Sequence, residues 1–224
     1  MSRKTVVLTF DDAVANHATL VAPLLLGYGF NATFFVCEFP PDFATNKRQY
    51  MTWEQIAQLD KSGFEIGNHT GHHAGVLDIT PDALVEEMRI IDDRCAKYGI
   101  RKPVTFAYPG GPCNEQAMRV VAEYGFVWAR GVEPRPCMPG RENPMCVPSF
   151  PVHGDDPDKF YAAVGQAGDA AIPVLLFHGV PEYTHPWVNT APERFAEYMR
   201  FLAEHDFNVI AMRDLPRTFV QNPV

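Results

Sequence analysis

Two adjacent carboxylates, Asp11 and Asp12, close an apolar, β-branched run over 4–10, and a histidine cluster, His69-Thr70-Gly71-His72-His73, closes a short strand-like segment over 64–68. Buried side by side, the carboxylates repel, so one of them needs a cation or a proton. The gap between His69 and His73 sets them one turn-like step apart, close enough to share an ion. Two neutral imidazoles and one carboxylate hold a divalent metal with coordination positions open, where water loses a proton near neutral pH. A second carboxylate beside that water can act as a base, and the chemistry is then hydrolysis. Each half also has a plainer reading. Asp11 can cap a helix beginning near Ala13 while Asp12 stays solvated, and the histidines can be surface groups in a turn. His72 fits that description, or supports the ligands from outside.

More polar groups end apolar runs. Tyr108-Pro109-Gly110-Gly111 follows 104–107, Arg130 follows 126–129, and His178 follows the wholly apolar 173–177. The first reads as a simple turn or as a backbone donor, because glycine permits close approach. Arg130 reads as a surface arginine paired with Glu133, or as a partner for Asp11. His178 reads as a satisfied core histidine, or as an acid suited to pH 7.

These groups need a scaffold that brings strand ends together. Strand patterns at 4–10, 31–37, 64–68, 104–107, 126–129, 146–150, 173–177 and 207–212 alternate with helical patterns at 17–26, 52–63, 80–95, 114–124, from Pro157, and 192–205. Thr52, Thr80-Pro81 and Gly125 supply start and stop signals. About seven βα units within one domain, 1–224, predict an α/β fold, a distorted or incomplete (β/α)7-type barrel, with a doubly wound open sheet as runner-up. Barrel sites lie at the C-terminal ends of the strands, where every polar group above falls.

Composition narrows the partners. Acidic side chains outnumber basic ones 27 to 19, for a net charge of -8, which disfavours nucleic acid. The 20 prolines cluster in segments such as 133–151, predicting ordered loops that shape a site. The five cysteines lack any Cys-x-x-Cys pair, so reduced thiols are expected; Cys137 and Cys146 flank one loop and would pair only after export. The first strand begins by Lys4 and no long apolar span follows, so a cytoplasmic protein without membrane contact is expected. Oligomeric state is open, a homo-oligomer included.

Taken together, Thr9-Phe10-Asp11-Asp12 and His69-Thr70-Gly71-His72-His73 resemble the first two motifs of NodB-type polysaccharide deacetylases, carbohydrate esterase family four, along nearly the whole chain. The resemblance implies a NodB homology domain with Asp11 as general base and Asp12, His69 and His73 as ligands of one divalent metal, Zn2+ first, with Co2+ or Ni2+ as alternatives. Leu175-Leu176-Phe177-His178 resembles the fifth motif, which implies that Leu176 lines the acetyl pocket and His178 is the general acid. The third motif departs from the pattern: Phe106-Ala107-Tyr108-Pro109-Gly110-Gly111 puts Ala107 where an arginine is usual, while Tyr108 and Gly110 remain for the pocket and the oxyanion donor. The aspartate that usually pairs with that arginine is also missing from Val127-Trp128-Ala129-Arg130. Either charge alone would be left unpaired, and Arg130 is the candidate to approach Asp11 from the neighbouring strand.

The activity so implied is metal-dependent hydrolysis of N- or O-acetyl groups on a carbohydrate, such as acetylxylan or a chitooligosaccharide, or on a small acylated substrate. Two alternatives stand beside it: hydrolysis of non-peptide C-N bonds in a small amide, imide or ureido compound, and a silent metal- or carbohydrate-binding domain. Trp187, in the aromatic segment 179–190, stacks on sugar, covers a subunit neighbour or packs beneath its loop.

Overall fold

The computed structural model describes residues 3–154 and 156–216. Among the described residues, eight parallel strands form one sheet: β1 (Thr5–Phe10), β2 (Thr33–Val36), β3 (Glu65–Asn68), β4 (Thr105–Ala107), β5 (Trp128–Arg130), β6 (Phe150–Pro151), β7 (Val174–Phe177) and β8 (Asn208–Ile210). Their spatial order is β5-β4-β3-β2-β1-β7-β6. β8 joins the N-terminal half of β1 at Thr5 to Val7, whereas β2 joins its C-terminal end at Thr9 and Phe10. The path curls until its ends meet at a single-residue bridge, Arg130 to Val147, three residues before β6. This is the expected incomplete barrel: β1 to β5 follow one another in chain order and the ends meet, where an open doubly wound sheet would reverse its order and keep its edges apart.

The strands are connected, among the described residues, by the α-helices α1 (Ala22–Tyr28), α2 (Trp53–Lys61), α3 (Pro81–Lys97), α4 (Glu115–Tyr124), α5 (Asp158–Val164) and α6 (Pro192–Glu204). Their starts follow local chemistry. The Thr52 hydroxyl accepts from the Gln55 N–H while the Gln55 side chain accepts from the Thr52 N–H, a reciprocal cap. Thr80 and Asn114 cap α3 and α4 in the simpler way. The expected helix at 17–26 opens instead as a wider π-type turn, His17–Val21. Pro23 lacks an N–H, which leaves regular α geometry to start around it. The expected strand at 207–212 is shortened to β8, because Met212–Asp214 winds into a 3₁₀ turn.

Alternation along the strands sorts side chains into two sets. Phe10, Phe34, Phe177 and Phe195 stack outside the sheet against the helices. Val7, Phe35, Ala107, Trp128, Val147 and Val174 pack together as the barrel's inner layer. Gly67 belongs to this inner register because a Cβ there would sit 2.4 Å from the Phe35 ring. Counting on in steps of two from the inner residues reaches Asp11, Cys37, His69, Arg130 and His178. Among the described residues, no helix is long and apolar enough to cross a membrane.

Candidate active site

Asp11 and Asp12 are buried, so the helix-cap reading with a solvated Asp12 fails; the nearest helical turn starts only at His17. The chain turns sharply here, with Asp12 at φ 73° and Ala13 at φ 53°, left-handed values that L-residues rarely adopt. Thr70 and His73 share this feature at φ 62° and 55°. Such backbone persists where surrounding structure enforces it, typically around a site. Here the Asp11 N–H donates to the Phe177 carbonyl at 3.1 Å, and the Met51 N–H to the Ala13 carbonyl at 2.8 Å.

Asp12 Oδ1 lies 3.6 Å from Nε2 of both His69 and His73, and the three donor atoms fall within 4.8 Å of one another. His69 Nε2 is also 3.7 Å from Asp11. The His69 Nδ1 sits 2.8 Å from the Ala107 carbonyl; donation there fixes the proton on Nδ1 and leaves the Nε2 lone pair facing the carboxylates. Burial pushes His73 down to about 3, aided by His69, so it too presents a neutral nitrogen. Burial, then the charges of Asp11 and Glu182, push Asp12 well above the usual carboxylate range. An anion so unfavourable on its own, between two neutral imidazoles, suits a divalent cation.

Asp11 is treated differently. Arg130 Nη2 reaches its Oδ2 at 2.5 Å, and both side chains are almost wholly buried. Burial opposes ionisation of Asp11, but Arg130, His69 and His178 together outweigh it and hold the carboxyl below its ordinary value. Arg130 is not the surface partner of Glu133, which pairs with Arg135 at 3.0 Å. Ala107 and Arg130 are register partners on β4 and β5, so the guanidinium rises beside the very position where the alanine stands.

A family model described as polysaccharide deacetylase matches residues 1–129, more than half of the chain. The chain belongs to the polysaccharide deacetylase family. It is similar to the peptidoglycan-N-acetylglucosamine deacetylase of Bacillus cereus, 29% identical over 139 residues, covering 60% of this chain and 61% of that protein. The match spans about half the length of the curated relatives, 45% to 61%. Among solved structures, it is similar to a family 4 acetyl xylan esterase from Clostridium thermocellum in complex with cobalt: 20% identity, TM-score 0.64, covering 94% of this chain and 89% of that one. It is also similar to a family 4 carbohydrate esterase from Streptomyces lividans in complex with acetate, at 20% identity and TM-score 0.63, covering 92% and 91%. At these identities the structures establish the fold, the distorted NodB barrel.

In this polysaccharide deacetylase-family barrel a cleft of about 420 Å³ gathers Asp11, Asp12, His69, His73, Arg130 and His178. Tyr108, Gly110, Leu176 and Trp187 also line it. Tyr108 has its hydroxyl tied to the Met145 carbonyl at 2.8 Å, so its ring is a wall. Its N–H donates to Arg130 and that of Gly111 to Tyr108, whereas no described residue accepts from the Gly110 N–H. Trp187 is 70% exposed, set edge-on to His185, and is not packed beneath its loop. His72 stays outside, bonded to Glu87 at 2.9 Å.

His178 Nε2 is 3.9 Å from Asp12, and burial pushes the imidazole down to about 3 although Asp11 pulls the other way. Two groups escaped sequence reasoning. His153, just past β6, sets its ring 5.4 Å from that of His178; its signal was position, a histidine following an extended piece. Glu182 is buried and accepts from Gln49 Nε2 and from the Thr184 and His185 N–H groups, so it holds the aromatic loop. Four buried polar atoms of the lining, Asp11 Oδ1, Arg130 Nε, His153 Nδ1 and His178 Nδ1, have no hydrogen-bond partner among the described residues. Such orphans mark groups arranged for a ligand.

Proposed function

We propose that this chain, acting as one NodB-type domain, is a metal-dependent deacetylase that hydrolyses N- or O-acetyl groups on a carbohydrate and releases acetate. The observation that carries this reading is the Asp11–Arg130 pair at 2.5 Å beside the separate donor set of Asp12, His69 and His73. One carboxylate is kept ionised and the other awaits a cation, as a base and a ligand require. Zn2+ suits the donors best, and Co2+ or Ni2+ are alternatives. When bound, the ion supplies Lewis-acid polarisation and lowers the pKa of water.

Asp11 takes the proton of the attacking water, and Arg130 keeps it ionised and aimed. The Gly110 N–H donates to the oxygen on which negative charge develops, where a preorganised donor is most effective. Leu176 faces the acetyl methyl. His178 starts neutral, and its proton affinity rises as negative charge grows in front of it, so it takes up a proton from solvent and passes it to the departing nitrogen or oxygen, while Asp11 returns the water proton to solvent. Trp187 offers its exposed face to a sugar ring.

The test is acetate release from acetylated xylan, chitooligosaccharides, peptidoglycan fragments and small acetylated sugars, with Zn2+, Co2+ or Ni2+ returned to stripped protein. Release from one class, dependent on added metal, is expected. Saturable sugar binding without turnover under every metal would overturn catalysis. The cleft's modest volume, with Phe39, His185 and Trp187 along its lining, favours a second reading, hydrolysis of C-N bonds in a small amide, imide or ureido compound. Turnover of such compounds without acetate release from any sugar would decide for it.

A further inference from the structure

One pair of cysteines lies beside the cleft and takes no part in the proposed reaction. Cys113 follows Gly111 by two residues on the loop after β4, and Cys146 lies on the segment leading to β6. Their sulfurs are 3.1 Å apart. That is hydrogen-bond contact, about 1 Å longer than a disulfide bond. Both side chains are partly exposed, whereas Cys37, Cys95 and Cys137 are buried. Cys137, which flanks the same loop as Cys146 in sequence, instead belongs to the barrel's inner layer and exchanges backbone hydrogen bonds with Ile172.

We propose that Cys113 and Cys146 are an oxidation site that forms an intramolecular disulfide and pins one wall of the cleft. The wall is Gly110, Gly111 and Val132. Gly111 is packed so closely that a Cβ there would stand 2.7 Å from Val132, and Cys146 Sγ itself lies against Gly131. The Gly131 N–H donates to the Val147 carbonyl, so the residue after Cys146 is already laced to the end of β5. A bond from Cys146 to Cys113 adds the glycine turn to that rigid unit.

The oxidant is a low-molecular-weight disulfide. The Cys146 thiolate attacks one of its sulfurs, forms a mixed disulfide and expels one small thiolate. Cys113 then gives up its proton and attacks Cys146 Sγ, expelling the second. Two protein thiols become one disulfide, and the small disulfide becomes two thiols. The hydrogen bond with Cys113 lowers the Cys146 thiol to about 7, which suits it to attack first.

The 224-residue chain is incubated with oxidised glutathione, alkylated, and cleaved with trypsin without reduction. Cleavage after Arg141 parts Cys137 from Cys146, so the possible links are distinguishable. Free thiols are expected to fall from five to three, with one peptide pair joined through Cys113 and Cys146. The melting midpoint rises by about 5–10 °C, since the crosslink closes a long loop, and dithiothreitol reverses the rise. Cys113→Ser and Cys146→Ser each abolish the link and the rise; Cys113→Ser keeps glutathione on Cys146. Five free thiols after oxidation, linkage through Cys137, or stable glutathione on both cysteines would overturn the proposal. None of these outcomes depends on the deacetylase reading.

Discussion

At Asp11 burial and charge pull in opposite directions, and Arg130 decides the outcome. Removing Arg130 leaves a carboxylate buried without its partner, so Arg130→Ala is expected to lose about 3–5 kcal/mol of stability in urea unfolding. The carboxyl, now held below its ordinary value by Arg130 and the histidines, then rises. A base works only above its own pKa, so the acid limb of kcat/KM moves to higher pH. Unchanged turnover and an unmoved limb would remove Arg130 from the mechanism. Asp11→Asn separates base from ligand. It is expected to retain metal, measured by elemental analysis after dialysis, while turnover falls about 10²–10⁴-fold, the usual contribution of a general base. His69→Ala loses both metal and turnover. Full activity in metal-stripped Asp11→Asn protein would sink the scheme.

At the scale of elements, strand periodicity did most of the positioning, and that is why so much was legible. Asp11, Arg130 and His178 are recognisable because each ends an apolar run, and His69 because it ends a short strand pattern, and the two-residue repeat turns that place in sequence into the inner face of the barrel mouth. What periodicity cannot encode stayed hidden. Glu182 matters through contacts to Gln49 and to its own loop, and the contact between Cys113 and Cys146 spans 33 positions across two loops. The π-type turn at His17–Val21 also carries no separate pattern, since its apolar spacing reads as ordinary helix. The loop that Glu182 anchors yields a prediction of its own. Trp187, exposed at the cleft edge, is expected to contribute binding without chemistry. Trp187→Ala should raise KM about 5–10-fold, from roughly 1 kcal/mol of lost ring contact, with kcat unchanged. A fall in kcat at constant KM would instead make the loop part of the reacting centre.

Across the whole barrel, the ends of the strands divide labour. The C-terminal ends carry the cleft, while Glu65, the first residue of β3, stitches the opposite end. It accepts from Thr33 Oγ1 on β2 at 2.6 Å, from Thr105 Oγ1 on β4 at 2.8 Å, and from the Arg213 N–H past β8 at 2.8 Å. One side chain thus ties three neighbouring strands to the closing segment, yet in sequence it is only a glutamate at the start of a strand. Burial raises its carboxyl above the ordinary value of 4.5, although the hydroxyls and the Arg213 N–H pull it back in part. The sign follows from linkage: a carboxyl that binds its proton more tightly folded than unfolded adds stability below the unfolded pKa, and that contribution is lost as pH rises through the folded one. Glu65→Gln keeps the size and most of the hydrogen bonding but cannot titrate. The stability of the native protein relative to Glu65→Gln, measured by urea unfolding, should therefore fall as pH rises from about 4 towards 7, the interval above the ordinary carboxylate pKa. The proposed deacetylation should persist in the variant, because Glu65 sits at the far end of the barrel from the cleft. A relative stability that climbs with pH would mean that the hydrogen bonds to Glu65 outweigh its burial and that the barrel floor is held by a charge.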